Sequence, residues 1–99
     1  MAVGGRPSVP SNLRGKELAI TSDDLFQMKT EPGKVLCVGA GYIALECGGF
    51  LTNLGYDTAI AVRSVPLREG FDQDAASLAV ELMTAQGQGS TLPLTDLVA

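Results

Sequence analysis

An α/β fold built on a short parallel sheet is predicted by three observations. Val35-Leu36-Cys37-Val38 is an apolar run of strand length that passes directly into Gly39-Ala40-Gly41. Thr58-Ala59-Ile60-Ala61-Val62 is a second such run. Between them lies a stretch of helical period, and strand, helix and strand fill Val35 to Arg63, close to the roughly 30 residues of one parallel βαβ unit. The predicted architecture is an incomplete Rossmann-type βαβ unit with a two- or three-stranded parallel sheet and an irregular N-terminal connector.

The elements follow in order. MAVGGRPSVP, residues 1–10, is rich in glycine and proline and reads as an extended connector, with loop continuing through Gly15. Leu18-Ala19-Ile20 is predicted to form a short strand. Thr21-Ser22-Asp23-Asp24 supplies capping residues for one or two helical turns beginning near Ser22. Glu31-Pro32-Gly33-Lys34 is a turn into the first strong strand. A helix is predicted over Tyr42–Leu54, with Ile43, Cys47, Phe50, Leu51 and Leu54 on its inward face and Gly55 as its stop. Gly48 and Gly49 weaken that helix and are read as a packing concession. Asp72 is the expected cap of a further helix whose apolar face is Ala75, Leu78, Ala79, Leu82 and Met83, closed by Gly87. Beyond it organisation fades. Thr91 to Leu94 has the composition to extend along a sheet edge, but the tail lacks the look of a regular third strand.

The chemistry concentrates in VLCVGAGYIA, residues 35–44, which contains G-x-G-x-x-A. Gly39 permits the tight turn, Gly41 lets backbone approach a pyrophosphate, and Ala44 allows close packing of helix on strand. The helix start adds free N–H groups and a positive dipole end. A dinucleotide also needs recognition of its adenosine ribose at the end of the second strand. An acidic residue there suits NAD, whereas arginine suits the extra phosphate of NADP. The second strand ends in Val62-Arg63-Ser64, with Arg68 close behind and no carboxylate at the strand end. Two guanidinium groups and a hydroxyl suit a phosphate dianion. The competing reading is a solvated arginine at a strand end. Tyr42 could cover a bound ring or simply pack as an amphipathic residue, and Glu46, one turn further along the same face, is otherwise a solvated glutamate.

Composition excludes several classes. The chain has 99 residues, a formal net charge of -4 and no histidine. No basic field draws nucleic acid or acidic lipid, and no Ser-His-Asp or Cys-His arrangement can be assembled from the chain itself. Neither a membrane span nor a signal peptide is legible. Cys37 and Cys47 match neither a C-x-x-C redox pair nor a zinc site, and they read as small buried hydrophobes. No metal site is expected. A reducing intracellular compartment is, the cytoplasm first and the mitochondrial matrix as the alternative.

VLCVGAGYIALECGGFLTNLGYDTAIAVRSVPLREGFD, residues 35–72, resembles the NADPH-binding region of the pyridine-nucleotide–disulfide oxidoreductases. It is most similar to large thioredoxin reductases and thioredoxin–glutathione reductases. VGGRPSVP resembles the family's ATGGRPxxP stretch at the close of the first part of the flavin domain, and ELAITSDDLFQMKTEPGK resembles the crossing into the NADPH domain. Similarity runs from about Met1 to Gly87. The resemblance implies that Gly39, Ala40, Gly41, Tyr42 and Ile43 line the pyrophosphate turn. It implies that Tyr42 shields the flavin and swings aside for nicotinamide, and that Glu46 lies near the nicotinamide. Arg63, Ser64 and Arg68 would hold the 2′-phosphate.

The resemblance also places a flavin-binding glycine motif and a C-x-x-x-x-C redox disulfide before Met1, and a dimerisation domain with a catalytic histidine after Ala99; none of these is in the sequence. The family pattern LRGFD is here Leu67-Arg68-Glu69-Gly70-Phe71-Asp72, with an inserted carboxylate that could turn Arg68 or repel the phosphate. The domain reading is a connector over 1–34, an NADPH-binding Rossmann half over 35–87 and a divergent tail over 88–99. The functional expectation is the NADPH-binding part of a flavin-dependent disulfide reductase, with NADPH as its cofactor and FAD in the complete enzyme. Thioredoxin or another disulfide would be the substrate, and the family assembles as homodimers. The alternative is a non-catalytic nucleotide-binding or interaction fragment.

Overall fold

The computed structural model describes residues 1–63 and 65–86, and the backbone of 91–93. The chain divides into two compact units, Met1–Glu31 and Pro32–Ala99.

In the first unit no residue is buried. Residues 1–10 carry no regular structure. Gly15, with φ 79°, then opens a single 3-10 turn over Lys16–Leu18, in which the Leu18 N–H donates to the Gly15 carbonyl at 2.9 Å. This replaces the strand expected over Leu18-Ala19-Ile20. Three apolar residues make a strand only where a neighbouring strand takes up their backbone groups, and no strand lies among the described residues of this unit. Helix α1, Ser22–Leu25, begins where its capping residues predict. The Asp24 carboxylate accepts from the Thr21 N–H at 2.9 Å and from the Thr21 hydroxyl at 3.1 Å, so it holds the N-cap residue through both backbone and side chain.

The second unit is a parallel three-stranded sheet in the order β1-β2-β3, formed by Val35–Val38, Thr58–Val62 and Thr91–Pro93. Val35 pairs with Thr58, Cys37 with Ile60, and Ile60 with Thr91. Helix α2, Tyr42–Asn53, connects β1 to β2, and α3, Gln73–Ala85, lies between β2 and β3. The third strand corrects the reading of the tail as unlike one. Residues 91–93 take the backbone hydrogen bonds that β2 offers on its free side, a demand that composition does not reveal. Leu94 and the helix stop expected at Gly87 lie outside the described residues. Pro93 suits a sheet edge, because it lacks the N–H that a central strand would have to donate.

Among the described residues the buried core side chains are Leu45, Leu51, Ile60, Ala61 and Ala76, with the buried Thr58. Thr58 meets its polar obligation by donating its hydroxyl to the Tyr56 carbonyl at 3.1 Å. The inward face of α2 is Leu45, Gly48 and Leu51. Of the five residues predicted there, only Leu51 is buried, while Ile43 and Leu54 are exposed. The shift has a packing cause. A Cβ on Gly48 would sit 3.3 Å from Ile60 Cδ1 and 3.7 Å from Cys37 Sγ, so the glycine is where the helix backbone presses on the sheet. Gly48 as a packing residue is as expected. In α3 the inward residue is Ala76, 2% exposed, whereas Leu78 and Leu82 of the predicted face are more than half exposed. Asp72 caps that helix as predicted, accepting from the Ala75 N–H at 3.0 Å. The apolar run of β1 is not buried on both faces. Cys37 faces α2, but Leu36 and Val38 alternate to the opposite side and are 44% and 56% exposed.

Candidate functional site

The glycine turn joins the end of β1 to the start of α2. Gly39 has φ 113°, a value that side-chain-bearing residues rarely adopt, and its N–H donates to the Ala61 carbonyl at 2.9 Å. The turn is thereby held beside the last residues of β2, two positions before Arg63. Gly41 is the N-cap of α2 at φ -74° and ψ 171°, and its carbonyl accepts the first helical bond, from Leu45 at 3.2 Å. Its φ is ordinary, so conformational freedom is not the reason for a glycine here. Nor does any neighbour require one, since a Cβ on Gly41 would meet nothing within 4 Å. Open space therefore faces the backbone at the helix end, where the first N–H groups have no intrahelical acceptor. Such an end attracts anions.

Tyr42 and Ile43 follow at the first turn of α2, 55% and 44% exposed, and Glu46 is exposed one turn on. Tyr42 meets the ring of Phe71 with centroids 6.5 Å apart and planes tilted by 45°, a geometry typical of favourable aromatic pairs. Phe71 was not singled out from the sequence, where nothing distinguished it from another loop aromatic. Ala40 is fixed in a second way, since its carbonyl accepts from the Leu67 N–H at 2.9 Å. The loop after β2 is thus bonded to the glycine turn one residue before Arg68.

Arg63 is exposed at the end of β2 and makes no ion pair among the described residues. Ser64 lies outside the described residues. Arg68 is also exposed, but its guanidinium is 3.2 Å from the Glu69 carboxylate. The inserted acid therefore partners the candidate phosphate-binding arginine. With side chains 56% and 87% exposed, the pair is held weakly, at about 1 kcal/mol or less. The turn and the arginine loop are brought together through backbone bonds, while Glu46 reaches no ion-pair partner among the described residues.

Cys37 and Cys47 are free and half-buried. Burial pushes both thiols above their ordinary value of 9.0, with Cys47 adding to the rise at Cys37 and Glu46 to that at Cys47. The folded chain therefore holds thiol protons that the unfolded chain releases above pH 9.0, and stability falls as pH climbs through that range. Denaturant melts from about pH 8 to about pH 10 should show this decline. A Cys37→Ala/Cys47→Ala chain should show a shallower one, and equal slopes would contradict the assignment. No cluster of metal-ligating side chains occurs among the described residues. No described helix is long and apolar enough to cross a membrane.

Fold and turn define a Rossmann-type α/β unit with a glycine-rich strand-to-helix connection. The family model described as pyridine nucleotide-disulphide oxidoreductase matches residues 34–89, more than half of the sequence, and the chain belongs to that family. It is 56% identical over 88 residues to thioredoxin reductase of Plasmodium falciparum (isolate FCH-5), an alignment covering 88% of this chain and 16% of that protein. It is 52% identical over 87 residues to thioredoxin reductase SEP1 of Emiliania huxleyi, covering 88% and 17%. With the mitochondrial thioredoxin reductase 2 of Drosophila melanogaster the identity is 49% over 96 residues, covering 94% and 18%. The chain thus spans less than a fifth of the length of these curated relatives.

Proposed function

We propose that this chain is the NADPH-recognising part of a flavin-dependent disulfide reductase, a reading supported by relatives named thioredoxin reductase. The observation that carries the reading is the arginine-bearing loop bonded to an open glycine turn, through Leu67 N–H and the Ala40 carbonyl. Ala40, Gly41 and Ile43 would hold the pyrophosphate by backbone donors at the start of α2, while Gly39, whose N–H is taken by the Ala61 carbonyl, would form the turn against which it lies. Arg63, Ser64 and Arg68 would hold the 2′-phosphate. The donor set fits, because both ligand groups are anions and every named contact is an N–H, guanidinium or hydroxyl. Bound there, NADPH would supply the hydride that a flavin of the whole enzyme would relay to a disulfide. This chain's residues bind and orient the nucleotide. Tyr42 would cover the flavin side until nicotinamide enters, with Glu46 beside that ring.

On this reading residues 1–34 are the crossing from the flavin domain, residues 35–87 the nucleotide half, and residues 88–99 a divergent end that contributes β3 at 91–93. The whole protein would be a homodimer that reduces thioredoxin or a similar disulfide. It would work in a reducing compartment, the cytoplasm or the mitochondrial matrix.

Calorimetry with NADPH, NADH and the Arg63→Ala chain tests the reading. NADPH should bind more tightly than NADH, and Arg63→Ala should weaken NADPH by about tenfold or more, the worth of one charge-assisted bond. NADH should bind the variant as before. No binding of either nucleotide at millimolar concentration would defeat the site, and an unchanged NADPH affinity in the variant would defeat the arginine assignment.

A further inference from the structure

The backbone of the loop that carries Arg68 is bonded by one side chain at the start of α3. Gln73, the first residue of α3, directs its amide nitrogen at three backbone carbonyls: Phe71 at 3.0 Å, Leu67 at 3.2 Å and Arg68 at 3.4 Å. A carboxamide has two N–H donors, so these carbonyls share them, and all three are directed at the same group. Leu67 has φ 52°, the left-handed region that a leucine occupies only at a cost. Such a conformation persists where surrounding bonds over-determine it. Here two do so from opposite ends of the residue. The Ala40 carbonyl takes the Leu67 N–H, and Gln73 donates to the Leu67 carbonyl.

The next residue is Arg68, whose own carbonyl is the third acceptor and whose side chain is left to bond outward. Gln73 therefore sets the direction in which the Arg68 side chain leaves the loop. It also ties that loop to α3 on one side while Leu67 ties it to the glycine turn on the other. We propose that Gln73 is a positioning residue for NADPH-over-NADH selectivity, acting by holding the Leu67–Phe71 backbone so that Arg68 meets the 2′-phosphate. This rests on the reading of Arg68 as a ligand of that phosphate. The Gln73 amide is engaged with the loop's own carbonyls, so its removal should alter selectivity and leave the affinity shared by the two nucleotides intact.

The variant is Gln73→Met, similar in length and helix propensity but without donors. The wild-type, Arg68→Ala and Gln73→Met chains are titrated with NADPH and with NADH, and each is also digested with trypsin to follow cleavage after Arg68. Gln73→Met should reduce NADPH affinity about fivefold, in line with the loss of roughly one hydrogen bond's worth of free energy, leave NADH affinity unchanged, and speed cleavage after Arg68. If NADPH and NADH weaken equally, or the preference survives in Gln73→Met while Arg68→Ala abolishes it, the proposal is overturned. Failure of the underlying reading looks different. In that case Arg68→Ala keeps the wild-type preference, or no preference exists, and the selectivity role of Gln73 falls with it even where tryptic cleavage is accelerated.

Discussion

Replacing Gly48 with leucine should lower the thermal unfolding midpoint by more than about 10 °C, a loss of roughly 2 kcal/mol or more in a domain of this size. Gly48 is buried on the sheet side of α2, between Leu45 and Leu51, which supply much of the core. Its missing Cβ would already stand 3.3 Å from Ile60 Cδ1, 3.6 Å from Ile60 Cγ1 and 3.7 Å from Cys37 Sγ. Leucine adds three further carbons where no volume is free, so α2 must lift from the sheet and expose both leucines. Overpacking of this kind costs about 1–3 kcal/mol or more, against the limited stability open to a chain of 99 residues. Gly48→Ala is the instructive contrast. One methyl meets the mobile end of an isoleucine, and the helix gains up to about 1 kcal/mol of propensity. The two terms nearly cancel. Circular dichroism melts of the three chains decide it, and an unchanged midpoint for Gly48→Leu would show that α2 does not press on β2 at this residue.

Gly41→Asp should do the reverse, abolishing nucleotide binding while leaving the fold as stable as before or slightly more so. Aspartate is among the best N-cap residues, ahead of glycine, and φ -74° with ψ 171° is ordinary extended backbone for it. Its Cβ would project into open space. That space is where the proposed pyrophosphate approaches the start of α2. A carboxylate there opposes a second anion at about 4 Å, worth about 4 kcal/mol at an effective dielectric of 20. Steric exclusion adds to the repulsion. Affinity for NADPH and NADH should therefore fall together, by about a hundredfold or more. This joint loss differs from the selective loss expected of Arg63→Ala and Gln73→Met. Retained binding by a folded Gly41→Asp chain would remove the glycine turn from the site.

The two glycines lie seven residues apart and show what a sequence reveals and what it hides. Gly39 and Gly41 are legible because their roles are local. The chain must turn sharply between an apolar strand and a helix, and that requirement acts on neighbouring residues only. For the same reason β1, β2 and the start of α2 fall where the apolar runs predict, and Asp72 caps α3 through a bond to a residue three positions away. The inward faces of α2 and α3 were not legible. α2 carries apolar or small residues around most of its circumference, among them Ile43, Ala44, Leu45, Cys47, Gly48, Phe50 and Leu51. Periodicity then allows several faces, and the largest side chains suggest the wrong one. Close approach to Ile60 and Cys37 chose the glycine-bearing face, since only there can the helix backbone come near the sheet.

The site divides along the same line. Local chain order determined the glycine turn, Tyr42 and Glu46 on one helical face, and arginines directly after the second strand. Tertiary structure decided how these parts are joined: Leu67 to Ala40, Phe71 to Tyr42, Glu69 to Arg68, and Gln73 to three carbonyls of one loop. It also decided that residues 91–93 form a strand, because only an adjacent open edge on β2 gives that short segment its hydrogen-bonding partners. Local conformational preferences act within a few residues of chain. Packing and backbone pairing depend on surfaces that meet only once those residues have folded.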